Sequence, residues 1–464
     1  MSDEPDNPFK GTPFEAMFQQ FSAGQAGQGG MPDLNAIFQQ VQQLLSGSAD
    51  GKPVNWDLAK DIARKTAAAA GDRSMTATDQ EQVADAVRLA EHWLDPVTTL
   101  PEASATSAAW SRAEWIENTL PVWQTLVDPV AEHVAGAMGS ALPAEAQQLA
   151  GPMAGMMRQL GGSIFGAQVG QALGELAGEV VSAGDIGLPL GPVGQAVLVP
   201  DNIAKFAEGL GLTDEDVRLY LALRECAHQR LFAGVPWLRQ HLLATVADYA
   251  AGIEVDPGKI ERAMADVDMQ NPEAMQAALA DGLFEPEDSE QQKAALVRLE
   301  TALALVEGWV DDVVREATKD RMPAAVQLAE TVRRRRAAGG PAEQTFATLV
   351  GLQLRPRRLR DAANLWAAVR DARGIEGRDE HWSHPDLLPT ATDLDDPIGF
   401  ATTSGQAAEL DIDISDFFDE NDRKGLDGEA TSPEGTTPEG KSEGGTPGED
   451  GDNTDEGKPD GPTR

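Results

Sequence analysis

Cysteine is almost absent from this 464-residue chain, which contains Cys226 alone. A single thiol excludes an intrachain disulfide and a multi-cysteine zinc knuckle, and such a composition is typical of a reducing compartment. Long apolar runs are missing as well. No stretch offers about 18 uncharged apolar residues in a row, and the acidic start MSDEPDNPF lacks the apolar segment of a secretory signal. We therefore expect a cytoplasmic protein without a membrane span.

Basic residues are scarce: 37 lysines and arginines face 76 acidic residues, which gives a formal net charge of -39. This charge opposes nonspecific attraction to nucleic acid or to an anionic membrane surface. Two basic clusters, RRRR at 333–336 and RPRRLR at 355–360, lack interleaved aromatic residues. We expect them to pair with acidic helices or with the acidic C-terminal tail. The expected partner is an unidentified protein or peptide, not nucleic acid.

Apolar residues at helical spacing dominate from residue 55 to about residue 373. Capping-box patterns, Thr78-x-x-Glu81 and Ser289-x-x-Gln292, precede two of the apolar runs. Evidence for strands is confined to QAVLVP at 195–200, which is bounded by glycine and proline. The pattern predicts a mainly α domain over residues 55–402 with at most a small β element. Residues 374–402 are predicted to form an irregular strap, held on the core by Trp366 and Trp382.

Both ends of the chain differ in composition from this domain. Residues 1–54 are rich in glycine and glutamine and are predicted to form a flexible arm. Residues 403–464 are acidic and rich in Gly, Pro, Ser and Thr, which predicts a disordered tail. The segment ELDIDISDFFDE at 409–420 alternates acidic with apolar residues. It is either a docking motif for a partner or the frayed end of an amphipathic helix.

Glycine recurs at every fourth position between residues 162 and 178, at Gly162, Gly166, Gly170, Gly174 and Gly178. On a helix, residues four apart share a face, so these glycines form a groove without side chains. Each costs about 1 kcal/mol relative to alanine in a helix, which a close contact must offset. The ladder predicts a packing seam in a helical core, with a homodimerising or membrane-associated helix as the alternative.

The segment TDEDVRLYLALRECAHQRLF, residues 213–232, has a helix start at Thr213 followed by acidic residues in the first turn. One stripe of this helix contains Val217, Leu221, Arg224, His228 and Leu231. Arg224 and His228 therefore face the interior together with apolar residues. Because an unpaired buried arginine is costly, a carboxylate is expected to meet Arg224.

The letters RECAH differ by one residue from the H-E-x-x-H motif of zinc proteases. In that motif two histidines, four residues apart, bind one metal ion, and the glutamate takes a proton from the metal-bound water. Glu225 and His228 are suited to those roles. Arg224 cannot be a ligand, because a guanidinium has no lone pair to give and stays protonated. His241 and Asp311 are left open as replacement ligands.

Four segments agree, in order, with one known family: LRECAHQRLFAGVPWLRQHLL, LALVEGWVDDVV, GLQLRPRRLRDAANLW and HWSHPDLLPTATDLDDP. Over residues 55–402 the chain resembles the zincin-like metallopeptidases of actinobacteria. These are known as zinc-dependent metalloproteases or hydrolases, and they are related to a group associated with coenzyme F420 biosynthesis. The resemblance implies a zincin-like helical domain, zinc as cofactor, and His228 and Glu307 as metal ligands. The first ligand of the family corresponds to Arg224, which puts zinc binding in doubt.

Two hypotheses of different class follow from this substitution. In the first, the chain is a degenerate metallopeptidase without a cofactor, and its pocket serves binding or scaffolding. An ion pair between Arg224 and Glu307, with His228 beside it, then replaces the metal ion. In the second, the chain is an active zinc hydrolase with Glu225 as general base, and His228, Glu307 and a third ligand hold the ion.

Overall fold

The computed structural model describes residues 53–140, 151–251, 289–337 and 358–409 of the chain. Most of the predicted N-terminal arm, the tail beyond residue 409 and all of the 409–420 motif except Glu409 lie outside the described residues, so those predictions stay open. In the described ranges the helices are α1 (Trp56–Ala69), α2 (Ala77–Leu94), α3 (Arg112–Ser140), α4 (Gly151–Ala177), α5 (Pro200–Ala207), α6 (Asp214–Gly234), α7 (Leu238–Ala251), α8 (Glu290–Thr318), α9 (Ala325–Ala337), α10 (Leu359–Glu380) and α11 (Pro397–Glu409).

Two short strands, β1 (Thr106–Ala109) and β2 (Gln195–Leu198), pair in parallel, with Thr106 opposite Gln195. The predicted fold class, mainly α with a small β element, is therefore confirmed. The strand predicted at 195–200 corresponds to β2. Strand β1 was not predicted, because its sequence TSAA contains one β-branched residue and no aromatic one.

Side-chain caps fix where the long helices begin. The predicted box at Ser289 is confirmed: its hydroxyl accepts from the Gln292 amide, and the Gln292 side chain accepts from the Ser289 amide. The box predicted at Thr78 is wrong by two residues. Helix α2 is capped by Thr76, whose reciprocal partner is Asp79. Asp79 also pairs with Arg73 at 2.7 Å, which adds a charged contact to this earlier start.

The glycine ladder is a packing seam between α4 and α1, as predicted. An added Cβ atom would lie 2.5 Å from the backbone oxygen of Asn55, the N-cap of α1, at Gly166 and 2.5 Å from that of Ala59 at Gly170. At Gly174 it would lie 2.5 Å from the Thr66 side chain. Gly178 lies beyond the end of α4 and outside the seam. The close approach of the two backbones explains why three glycines are placed in a helix interior. Within the described ranges, no helix is long and apolar enough to cross a membrane.

The segment 374–402 is more helical than predicted. Helix α10 runs through a kink at Gly374, whose φ of 76° is accessible to glycine, and continues to Glu380. Single 3₁₀ turns follow before α11 starts at Pro397. The two predicted anchors are buried and stacked on each other, with 5.4 Å between the ring centres of Trp366 and Trp382. The irregular strap is thus limited to the stretch between Glu380 and Pro397.

Helix α6 is buried on all sides along most of its length. Thr213 caps it as predicted, and every residue from Tyr220 to Phe232 is buried. Its neighbours include α2, α8 and β2. The helix that carries the RECAH segment therefore lies inside the fold, and its polar side chains must find partners there.

Candidate functional site

Arg224 on α6 and Glu307 on α8 meet in the interior. The Nη2 atom of Arg224 donates to Oε2 of Glu307 at 2.6 Å, and the two side chains are 8% and 4% exposed. The Nε2 atom of His228 lies 3.0 Å from the other carboxylate oxygen, Oε1. The structure thus brings together the three residues that the sequence analysis selected as ligands or as an ion pair.

Arg336 on α9 is a further member of this cluster that the sequence analysis did not single out. Its Nη2 atom lies 2.9 Å from Oε1 of Glu307, and it also donates to the backbone oxygen of Asp185. The residue belongs to the RRRR cluster, so the signal was visible in the sequence. What the sequence could not tell is which of the four arginines reaches the site, because that depends on the packing of α9 against α8.

The other arginines of the RRRR cluster meet nearby acidic groups. Arg333 lies 3.6 Å from Asp311 on α8, and Arg335 lies 3.2 Å from Asp185 in the loop that follows α4. The prediction that this cluster pairs with acidic helices is confirmed for Arg333 and Arg336. Of the second cluster, residues 355–357 lie outside the described residues, while Arg358 pairs with Asp361 at 3.4 Å.

Burial and neighbouring charges shift the pKa values of Glu307, Arg224 and Tyr220. Burial by itself raises the pKa of Glu307, but Arg336, His228 and Arg224 together hold that pKa well below its usual range. Burial works against the charged form of Arg224 as well, yet the carboxylate of Glu307 raises its pKa further above the ordinary value. Burial also raises the pKa of Tyr220, one turn before Arg224, to about 12. Glu307 and Arg224 are therefore both ionised near neutral pH.

Two glycines of the segment after α4 lie against the site. A Cβ atom on Gly184 would lie 2.9 Å from Oε2 of Glu225 and 3.1 Å from the Cβ atom of His228. A Cβ atom on Gly187, whose φ is +78°, would lie 2.9 Å from Oε1 of Glu307. The sequence analysis noted glycine here only as a boundary of the strand that follows this segment. Its second role is to place backbone, without side chains, directly on the charged groups.

Glu225, next to Arg224 in the chain, is fully buried. Its Oε2 atom accepts from the Gly184 amide at 2.8 Å, and its Oε1 atom accepts from the Gln229 side chain at 3.0 Å and from the Val197 amide at 3.4 Å. These contacts connect α6 to β2 and to the loop after α4. In this arrangement both oxygens of Glu225 accept hydrogen bonds from groups that hold the fold together.

His228 lacks the support that metal-binding histidines usually have. A ligating histidine generally donates its second ring N–H to a carboxylate or carbonyl group. Among the described residues, nothing makes a hydrogen bond with the buried Nδ1 atom of His228. Its ring stacks on Phe232 instead, with 5.9 Å between the ring centres. Since the ionised Glu307 can only accept, the Nε2 atom of His228 carries a hydrogen and donates it to this carboxylate.

The family implies a zinc ion here, but the side chains do not fit one. Structural and catalytic zinc sites use at least three protein ligands. Arg224 stands in the first ligand position, and both oxygens of Glu307 are engaged by cationic or N–H donors. Among the residues that the structure describes, no group of three or more His, Cys, Asp and Glu side chains could hold a metal ion.

The other candidate ligands do not complete a zinc site either. Asp311 lies beside the cluster, but its Oδ1 atom is 4.0 Å from Arg224 and its Oδ2 atom is 3.6 Å from Arg333. His241, on the following helix α7, packs edge-on against Trp237, and burial lowers the pKa of this histidine. Cys226 is buried against α2, and burial raises the pKa of its thiol well above the ordinary value. A thiolate nucleophile is therefore not available at this position.

A cavity of about 170 Å³ opens beside the cluster. Helices α6, α8, α9 and α10 contribute to its walls. Its lining contains Arg224, Glu307, Asp311, Arg315, Val332, Arg333, Arg336, Leu359, Arg360, Ala363 and Asn364. Glu225 does not line this cavity. The charged pair of Arg224 and Glu307 thus lies in the wall of a small pocket, and the glutamate of the RECAH segment is not part of that wall.

Comparisons with known proteins agree with this fold. A similar fold occurs in a crystal structure from Chloroflexus aurantiacus described as "a putative hydrolase with a novel fold", with a TM-score of 0.55 and 23% sequence identity. The match covers 76% of this chain and 99% of that one. No curated protein matches the sequence. The sequence profile of the zincin-like metallopeptidases matches residues 54–401. The chain therefore belongs to the zincin-like metallopeptidase family.

Proposed function

We propose that this protein is a degenerate member of its family, in which a cluster of fixed charges replaces the zinc ion and the pocket serves binding or scaffolding. The observation that carries the proposal is the state of Glu307. One carboxylate oxygen accepts from Arg224, and the other lies within 3.0 Å of both Arg336 and His228. A carboxylate with these partners needs no metal ion to balance it.

Charge balance supports the replacement. Zinc brings two positive charges to its ligands, and Arg224 and Arg336 together bring the same number. A buried carboxylate without a partner costs several kcal/mol, so loss of the ion alone would destabilise the fold. Two guanidinium groups supply the missing charge and directional hydrogen bonds at once. Substitution at the first ligand position is thus compatible with a stable core.

The alternative is an active zinc-dependent hydrolase with Glu225 as general base. The description of the Chloroflexus aurantiacus structure favours it, but that resemblance supports the fold alone at 23% identity. A general base must be free to accept a proton within hydrogen-bond reach of the substrate or water. The carboxylate of Glu225 instead accepts from Gly184, Val197 and Gln229 and lies outside the cavity lining. This favours the non-catalytic proposal.

Metal analysis tests the proposal directly. Wild type, Arg224→His and Arg224→His/Arg336→Gln would be purified, equilibrated with an excess of zinc and desalted, and the zinc content would be measured. We expect much less than one equivalent in wild type. Zinc uptake should appear in the double variant, where the H-E-x-x-H motif is restored and the second guanidinium is removed.

Arg224→His alone is the informative intermediate, because Arg336 still engages Glu307 in it. We expect it to bind zinc more weakly than the double variant. Stoichiometric, tightly held zinc in wild type would overturn the proposal and favour the hydrolase. Far-UV circular dichroism of each variant serves as the control for folding.

A further inference from the structure

The cavity beside Arg224 and Glu307 has an unusual charge for this protein. Five arginines and two carboxylates line it, an excess of three positive charges in a chain whose net charge is -39. Local charges dominate a pocket of this size, because salt screens more distant ones over about 8–10 Å. Within that distance Asp312 and Glu316 meet Arg315, and Glu330 meets Arg333, which leaves Arg360 as the lining arginine without a carboxylate partner among the described residues.

Several of these arginines retain capacity for a ligand. Arg360 is exposed on α10 and makes no hydrogen bond or ion pair with the described residues. Arg333 and Arg315 are 39% and 43% exposed, and each meets carboxylates only through part of its donor fork. A guanidinium has five N–H donors, so the two carboxylate contacts that each of them makes leave others available. Arg224 and Arg336, in contrast, are committed to Glu307.

The size and walls of the cavity limit what it can accept. About 170 Å³ is below the range of roughly 300–1,000 Å³ that holds a whole small-molecule ligand. It is sufficient for one oxyanion group and a short stem. Val332, Leu359 and Ala363 offer apolar wall for such a stem, and Asn364 adds an amide.

From these observations we infer that the cavity is an anion-binding site for a single oxyanion group, either carboxylate or phosphate, held chiefly by Arg360 and Arg333. Arginine is suited to this task because its planar fork matches both groups. The inference rests on the proposed function, since it requires that Arg224 and Arg336, not zinc, balance Glu307. It adds the chemical class of the ligand to that proposal.

Such an oxyanion has two sources. One is the chain itself: residues 401–464 contain 18 acidic and 5 basic residues, and the segment 409–420 places aspartates beside apolar residues. The other is a separate molecule that bears a carboxylate or phosphate group. Both present the same chemistry to the arginines, so the experiment must separate them.

Inorganic phosphate is the probe for the site. Its binding to the full-length protein would be measured by phosphorus NMR line broadening near neutral pH and low ionic strength. The variants are Arg360→Gln and, as matched control, Arg88→Gln, which removes a 75% exposed arginine of α2 outside the cavity. We expect binding that is saturable, weakened at least about fivefold by Arg360→Gln, and changed less than about twofold by Arg88→Gln.

A tail-neutralised full-length variant, Asp411→Asn/Asp413→Asn/Asp416→Asn, separates the two sources. If the tail supplies the natural anion, this variant binds phosphate at least about tenfold more tightly than wild type. If a separate molecule supplies it, the two proteins bind phosphate equally. Either result supports an anion site and identifies its source.

The inference is overturned if neither protein binds phosphate with a dissociation constant below about 10 mM, or if Arg88→Gln weakens binding as much as Arg360→Gln. Zinc content is measured on the same samples. If the samples contain no zinc and do not bind phosphate, the anion site is refuted but the proposed function is not. Stoichiometric zinc in wild type removes the proposed function, whatever phosphate does.

Discussion

The guanidinium of Arg224 and the imidazole it replaces differ in what they can give to Glu307. A neutral imidazole offers a lone pair to a metal ion, which then carries the charge. Arginine carries the charge itself and donates hydrogen bonds in a fixed plane. In this protein the donated bond is 2.6 Å long and buried. The substitution therefore changes the chemistry of the site while its charge balance is retained.

Gly187 tests how closely the backbone must approach this cluster. Gly187→Ala should destabilise the fold more than Gly209→Ala. Both glycines have a positive φ, 78° and 75°, but the added Cβ would lie 2.9 Å from Glu307 at Gly187 and would meet nothing within 4 Å at Gly209. Both variants therefore carry the backbone strain of alanine at a positive φ, and the difference between their stabilities reports the contact with Glu307.

We expect a difference of at least about 1 kcal/mol in the free energy of unfolding, measured with urea. Equal losses in the two variants would mean that the loop after α4 moves away from Glu307 without cost, and that the close approach has no energetic role.

At the scale of elements, the seam between α1 and α4 is the clearest case of sequence determining packing. Gly170→Ala should destabilise the protein by about 1–3 kcal/mol, because its Cβ would lie 2.5 Å from the Ala59 carbonyl oxygen of α1. Gly161→Ala is the matched control on the same helix, since nothing lies within 4 Å of its added Cβ.

Because no contact opposes the added methyl group in Gly161→Ala, the higher helix propensity of alanine should raise the free energy of unfolding by up to about 1 kcal/mol. Thermal unfolding followed by circular dichroism measures both variants. A gain in stability for Gly170→Ala as well would show that α1 does not pack on α4 at this position.

Local signals in the sequence predicted the elements better than their contacts. The start of α6 at Thr213, the start of α8 at Ser289 and strand β2 follow from capping residues and breakers. The earlier cap at Thr76 was missed because two threonines, each followed three residues later by an acid, compete within the segment TATDQE. Short local patterns cannot choose between such alternatives.

The candidate site likewise combines residues that local patterns predicted with residues that only tertiary contacts bring together. The stripe on α6 predicted that Arg224 and His228 point inward, because helical periodicity is a local property. Glu307 was placed beside them through the family resemblance. Arg336 and the amides of Gly184 and Val197 reach the site through tertiary contacts between distant parts of the chain. No spacing along the sequence encodes those contacts.

At the scale of the whole molecule, buried carboxylates connect helices that are distant in sequence. Glu307 joins α8 to α6 and α9. Asp379 on α10 accepts from Thr98, Trp309 and Arg378, and although burial opposes its charged form, Arg378 and these donors lower its pKa. Both carboxylates therefore stabilise the fold in their ionised state.

Acid should accordingly destabilise the protein. A carboxyl group whose pKa is lower in the folded than in the unfolded chain contributes fully above its unfolded pKa, about 4.3 for glutamate. That contribution is lost as the pH falls below this value. We expect the free energy of unfolding to decrease from about pH 5 downward, and Glu307→Gln to flatten this dependence.

Glu102→Gln, which removes an exposed carboxylate, is the control and should follow the wild-type dependence. Urea unfolding at a series of pH values gives the three curves. Parallel curves for wild type and Glu307→Gln would contradict the assignment of acid sensitivity to Glu307.

The central claim is that Arg224 and Glu307 stabilise each other in place of a metal ion, and a double-mutant cycle measures this directly. Free energies of unfolding would be determined for wild type, Arg224→Met, Glu307→Gln and the double variant. Glu307→Gln leaves Arg224 and Arg336 without their carboxylate, and Arg224→Met leaves Glu307 with Arg336 and His228 alone, so each change should cost up to about 3–5 kcal/mol. The double variant should cost at least about 1.5 kcal/mol less than the sum of the two. Additive losses, or a cost below about 0.5 kcal/mol for Arg224→Met, would contradict the account.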